Sequence, residues 1–167
     1  SEFFLFYLLV IFVLAFLEEY LFRGYYFNIT KHHVGMVPAI VISSIFFSFA
    51  HVFNPNIDIL SISNIFGFGI LLAVIYGYVK NLYFITGFHF GWNFLNIFLG
   101  FNVSGMEFFG LPFKARLVFK NNSLISGGQF GAEGSILTSI ILIISIMVFL
   151  ILLLNKKKEE ENVFTGS

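Results

Sequence analysis

Of 167 residues, 58% are apolar and 20% aromatic, 26 of them Phe, while only 11% are charged, against roughly 25% in an ordinary soluble domain. With a mean hydropathy of +0.92, that composition excludes a soluble globular domain. Nine basic and nine acidic residues balance, so nothing points to nucleic acid or to an electrostatically held partner. The absence of cysteine excludes disulfides, a thiol nucleophile and a thiolate metal site, and leaves His, Asp, Glu and Asn as ligands or catalysts.

The predicted fold class is all-α: a polytopic membrane bundle of about five spanning helices around a polar cavity. The five apolar segments cover residues 3–27, 37–52, 59–79, 82–100 and 136–154, each near the roughly 20 residues that a spanning helix needs. A single intramembrane domain over 1–154 is expected, with a core at 3–100, a loop at 101–135, a last helix at 136–154 and a polar tail at 155–167. Residues 3–17 have neither a basic n-region nor a small-residue cleavage site, so they read as a mature membrane helix rather than a signal peptide.

The first segment carries Glu18, Glu19 and Arg23. A bare ionised group there costs several kcal/mol in a lipid-like medium, so partners are required. Glu19 and Arg23 are i and i+4 and can pair, whereas Glu18 lies about 100° around the helix and faces a different space. Residues 30–36, with His32, His33 and Gly35, read as a tight basic corner, and Pro38 fits the first turn of the next helix. That next segment brings Phe47 and His51. Lys80 and Asn81 make a short turn into the fourth segment, where His89 and Asn93 are i and i+4 and Trp92 and Asn96 extend the same stripe.

Loop 101–135 holds Pro112, Lys114, Arg116, Lys120 and a glycine-rich run at 126–134. Loops of that length are functional or partly structured; the simpler alternative is a solvated cap with no part in chemistry. Counting Arg23, Lys31, Lys80 and Lys156 to Lys158 on one side and Lys114, Arg116 and Lys120 on the other, the positive-inside rule puts the 30–36 corner and the C-terminus in the cytoplasm.

Depth brings the polar groups together. A first helix running to about Thr30 places Glu18 about 18 Å into the bilayer, His51 about 21 Å on the way back, and His89 and Asn93 about 10 and 16 Å in from the same side. The expected result is one cavity open toward the cytoplasm. A carboxylate there can take a proton from water. His51 and His89 can orient that water or bind a divalent metal such as Zn2+, and Asn93 can donate to an oxyanion. These are the groups for water attack on an amide. Three alternatives stand beside this: a histidine that only bonds between helices, a non-catalytic immunity or scaffold protein holding a partner in the bilayer, and an ion or proton path through Glu18, His51 and His89.

Glu18-Glu19-x-x-x-Arg23, Phe47-x-x-x-His51 and His89-x-x-x-Asn93, in that order, resemble the three motifs of the CPBP family of intramembrane proteases, which includes CAAX prenyl endopeptidases and the bacterial Abi and bacteriocin-immunity proteins. The resemblance covers about residues 3–100. It implies a multi-pass metalloendopeptidase in which Glu18 activates water, Glu19 and Arg23 complete the first motif, His51 is the second motif's histidine, and His89 with Asn93 binds or polarises the reacting group. Whether zinc is required stays open, since there is no HExxH helix. Only residues 1–17 precede the first motif, where the family has further helices, so the chain is either a minimal member or a piece of a longer one. Residue usage suggests a bacterial plasma membrane. The expected partners are lipid and a peptide or membrane-protein substrate.

Overall fold

The computed structural model describes residues 2–107 and 123–165. Lys114, Arg116 and Lys120, which carry one side of the charge count above, lie outside the described residues, as does Pro112. Among the described residues the chain is helical, with one isolated bridge between Val103 and Met106 as its only extended pairing.

Helix α1 (Glu2–Glu19) continues through a π-helical segment, Tyr20–Phe27, into α2 (Asn28–Val34). Ile11, Ala15, Glu19, Arg23 and Phe27 are all buried, while Phe12, Val13, Leu14 and Leu17 between them are exposed. A row at every fourth residue drifts around an α-helix, which turns every 3.6 residues. The wider i→i+5 turn of the π segment offsets that drift, so Arg23 and Phe27 stay on the face that already buries Glu19.

The rod does not end near Thr30 as expected. It runs to Val34, and Gly35 alone makes the corner, at φ +95°, where a residue without Cβ is at ease. No breaker intervenes before Gly35, and Lys31, His32 and His33 in the last turn favour the negative end of the helix dipole.

Helix α3 (Met36–Phe49) has Pro38 in its first turn and 14 residues in all. His51 therefore lies in the turn that follows, its N–H bonded to Ser48 O at 3.0 Å, rather than in the membrane helix expected over 37–52. Helix α4 (Ile59–Val79) has the expected limits. Asp58 caps it by accepting from Ser61 N at 2.7 Å, and Lys80 ends it in the left-handed region at φ +53°. Five consecutive buried residues, Leu71 to Ile75, mark it as the central helix. Ser44 and Gly69 bring α3 and α4 close: a Cβ on Gly69 would sit 3.1 Å from Ser44 Cβ and 3.3 Å from the Phe47 ring. Small residues permit such approach between membrane helices.

Asn81 caps α5 (Leu82–Phe98) through Phe84 N at 3.1 Å. Beyond it lie α6 (Ser123–Ser126), a 3-10 turn at Ala132–Gly134 and α7 (Ile136–Thr165). Helix α7 passes through the Lys and Glu run, whose residues are strong helix formers, instead of stopping at Leu154. Lys156 Nζ donates to Tyr78 O at 2.8 Å, and Lys80 pairs with Glu160 at 3.4 Å, which ties that extension back to the bundle. Among the described residues three helices are long and apolar enough to cross a membrane: Leu5–Val34, Ile59–Val79 and Ile136–Glu160. Helix α3 and the 17-residue α5 are shorter.

Contacts fix the directions. Met36 and Leu153 both pack beside Gly77, and Asn64 bonds Ser135 O, so α1, α4 and α7 run one way and α3 and α5 the other. Gly35, Lys80 and Lys156 share one end, the basic end. The turns after α3 and after α5 share the other. The segment before α7 is no solvated cap: Phe130 belongs to the core cluster around Phe47, Phe68 and Leu72, and Glu133 is 7% exposed.

Candidate active site

The first motif splits between two environments. Glu19 lies on the buried row of the first rod and is 0% exposed, as is Arg23. Arg23 Nη1 donates to Glu19 Oε1 at 3.0 Å, and Nη2 donates to Gly69 O at 2.9 Å. The second bond exists because α3 and α4 approach closely enough to present that carbonyl. The guanidinium also lies 4.6 Å from the centroid of the Phe47 ring, which places Phe47 between the first and second motifs as a cation–π partner. One helical step away, Glu18 is 32% exposed.

His89 joins both carboxylates. Its Nδ1 meets Glu19 Oε1 at 2.8 Å and its Nε2 lies 3.8 Å from Glu18 Oε2. A carboxylate accepts, so Nδ1 carries the proton toward Glu19. The rings of Phe47 and Phe68 stand edge-on to the imidazole at 5.9 and 5.3 Å and hold its plane. His51 is oriented by a different partner: its Nδ1 lies 2.8 Å from Phe47 O. A carbonyl can only accept, which puts the proton of His51 on Nδ1 and the lone pair of the neutral ring on Nε2.

A cavity of about 150 Å³ opens beside these groups, with Glu18, His51, Asn54, His89, Asn93 and Ser104 as its polar lining. Among the described residues no hydrogen bond engages Glu18 or Asn93, so both face the cavity uncommitted. Four of the six expected residues, Glu18, His51, His89 and Asn93, thus meet at one space. Glu19 and Arg23 do not reach it; they sit behind it and hold His89.

The cavity opens at the end formed by the turns after α3 and α5, away from the basic end. An opening toward the basic corner was expected because depth was counted from Thr30, whereas α3 ends at Phe49 and lets His51 emerge at the far side. Arg23 also leaves the charge count, since a buried, paired guanidinium is no loop charge.

A zinc ligand set is incomplete among the described residues. A catalytic zinc takes three protein ligands and an open position. Among the described residues no three His, Asp or Glu side chains are placed as a ligand set; the Nδ1 atoms of His51 and His89 are engaged by oxygens, which leaves Nε2 of each as the atom that a metal would need.

Sequence reasoning missed Glu133, Asn54 and Ser104. Glu133 accepts from Trp92 Nε1 at 2.9 Å and from Ser104 N and Oγ, each at 2.8 Å. A signal was present, because Glu133 is the only acid between Glu107 and Glu159 and directly precedes an apolar helix. Asn54 and Ser104 carry no comparable mark.

No curated protein and no solved structure matches the chain. The model of the type II CAAX prenyl endopeptidases of Rce1-like kind matches residues 1–95, a span that contains every residue of the three motifs, and by that match the chain belongs to the Rce1-like family.

Proposed function

We propose that this chain is a multi-pass intramembrane endopeptidase in which Glu18 activates the attacking water. The family is one of CAAX-type proteases, and the observation that carries the finer reading is the division of labour between adjacent carboxylates: Glu19 is enclosed by Arg23 and His89, while Glu18 faces a cavity shared with His51 and Asn93. About five passes are inferred from the five alternating helices. A peptide substrate bound at the cavity end, from the membrane or its surface, presents its scissile carbonyl to that space.

Water bonded to Glu18 gives up a proton to the carboxylate as its oxygen bonds to the carbonyl carbon. Asn93 Nδ2 donates to the oxygen that becomes negative. His89, its Nδ1–H fixed on Glu19, keeps Nε2 beside Glu18 and orients the water. When the C–N bond breaks, the proton held by Glu18 passes to the leaving amine, and Glu18 returns as a carboxylate. No step is routed through a metal.

The test compares the peptide termini in membranes of cells expressing wild type or Glu18→Ala, together with cleavage of a farnesylated CAAX peptide by purified protein before and after a chelator wash. New termini with wild type alone are expected, with activity unchanged by the chelator. Identical termini from a folded, inserted protein would favour the immunity or scaffold reading. Activity that falls on chelation and returns with zinc would overturn the metal-free route.

A further inference from the structure

We propose that Glu133, outside the matched span, is a positioning residue that sets His51 and the Trp92 face of α5 around the cavity; the proposal rests on the protease reading above. Its carboxylate is 7% exposed, and no cation bonds it among the described residues. Instead it collects three neutral donors from two separate segments: Trp92 Nε1–H on α5, and the backbone N–H and hydroxyl of Ser104 after α5. Its own carbonyl accepts from Asn64 Nδ2 at 2.7 Å, and Asn64 Oδ1 accepts from Ser139 Oγ at 2.7 Å. The turn before α7 is thereby fastened to α4.

Two paths lead from this carboxylate to the cavity histidines. Along the first, Ser104 O accepts from Asn54 Nδ2 at 3.0 Å, and Asn54 N–H donates to His51 O at 3.0 Å. Gly105 strengthens this path, because a Cβ there would lie 2.0 Å from Pro55 O, so the segment after α5 rests directly on the turn that carries His51. Along the second, the Trp92 ring packs at 5.4 Å on Phe68, whose ring meets His89 at 5.3 Å.

Strain gives independent support. Ser104 holds φ +49°, a left-handed conformation that a residue with a Cβ adopts only when its surroundings over-determine it. Two of the three bonds to the Glu133 carboxylate come from that residue. A carboxylate can satisfy all three donors, whereas an amide must turn its NH2 toward at least one of them.

The decisive variant is Glu133→Gln, read by kinetics on the farnesylated peptide and by hydrogen exchange of the turn 50–57. The expected result is a fall in kcat of about ten- to a hundredfold, as for small displacements of catalytic groups, with KM within about twofold and faster exchange at the Asn54 amide. Glu133→Gln/Trp92→Phe removes the donor that the amide would oppose and should recover part of the lost kcat. Ser104→Ala, a milder change that keeps the backbone N–H, should move kcat and exchange in the same direction by less. Unchanged exchange in Glu133→Gln overturns the clamp whether or not the wild type cleaves the peptide. Faster exchange in a wild-type protein that cleaves nothing leaves the clamp standing and removes the protease reading. A matched fall in melting temperature with wild-type kcat would make Glu133 structural only.

Discussion

Glu18 and Glu19 are chain neighbours with opposite surroundings. Glu19 continues the row Ile11, Ala15 that packs on the bundle and is closed over by Arg23 and His89; Glu18, a step around the helix, is the only one of the two in the cavity wall. The lesson is that a doubled acid in a membrane helix can separate charge storage from chemistry. The enclosed member holds a guanidinium and an imidazole in place, and the open one meets water.

The largest expected effect breaks the open side alone. Glu18→Gln preserves shape and removes the base, so kcat should fall by about a thousandfold, within the range for general bases, while the melting temperature stays at the wild-type value. Near-wild-type cleavage by Glu18→Gln would take the base role from Glu18. A melting temperature lowered as far as in a Glu19 variant would erase the distinction between the two carboxylates.

Breaking the enclosed side should act on stability first. Arg23→Ala removes one member of a fully buried pair and leaves Glu19 with His89 alone, for which a loss of about 3–5 kcal/mol is typical. It also frees Gly69 O and the face of Phe47. The expected outcome is a protein that unfolds at markedly lower denaturant in detergent, with any loss of cleavage tracking the loss of fold. An Arg23→Ala protein that melts like wild type would show that the pair contributes little to the bundle.

How much of this was legible depends on whether the cause was local. The third segment was placed to the residue because Asp58 and Lys80 flank a run with no charged residue. The Glu19–Arg23 pair followed from i, i+4 spacing, and the separate surroundings of Glu18 from its angle on the helix. The end of α3 was not legible: Val52 and Phe53 resume the apolar pattern after His51, and the turn that carries His51 is set by the backbone bonds from His51 to Ser48 and from Asn54 to His51, which composition does not report. The π segment was hidden because it alters phase, not composition. Glu133 was passed over because its partners are 41 and 29 residues away in sequence, and no periodicity reports such contacts.

A third acid calibrates the contrast from the outside. Asp58 is exposed at the cavity end and makes the N-cap of α4. The Ser61 side chain and then its N–H hold its carboxyl below the usual carboxylate range; by geometry the N–H bond at 2.7 Å is the one formed, the hydroxyl having no partner. Asp58→Ala should cost about 1 kcal/mol at neutral pH, the common value of a cap, far less than Arg23→Ala. The pH dependence has a fixed sign. A carboxyl whose folded pKa lies below its unfolded one stabilises fully above the unfolded value, and that contribution disappears as pH falls through the folded one. The gap between wild type and Asp58→Ala should therefore be constant from neutral pH down to about 4 and narrow below that. Asp58→Asn, which can still cap, should stay near wild type at neutral pH. Denaturant titrations of the three proteins at several pH values check this, and a gap that widens on acidification would mean that the protonated acid, not the carboxylate, holds the start of α4.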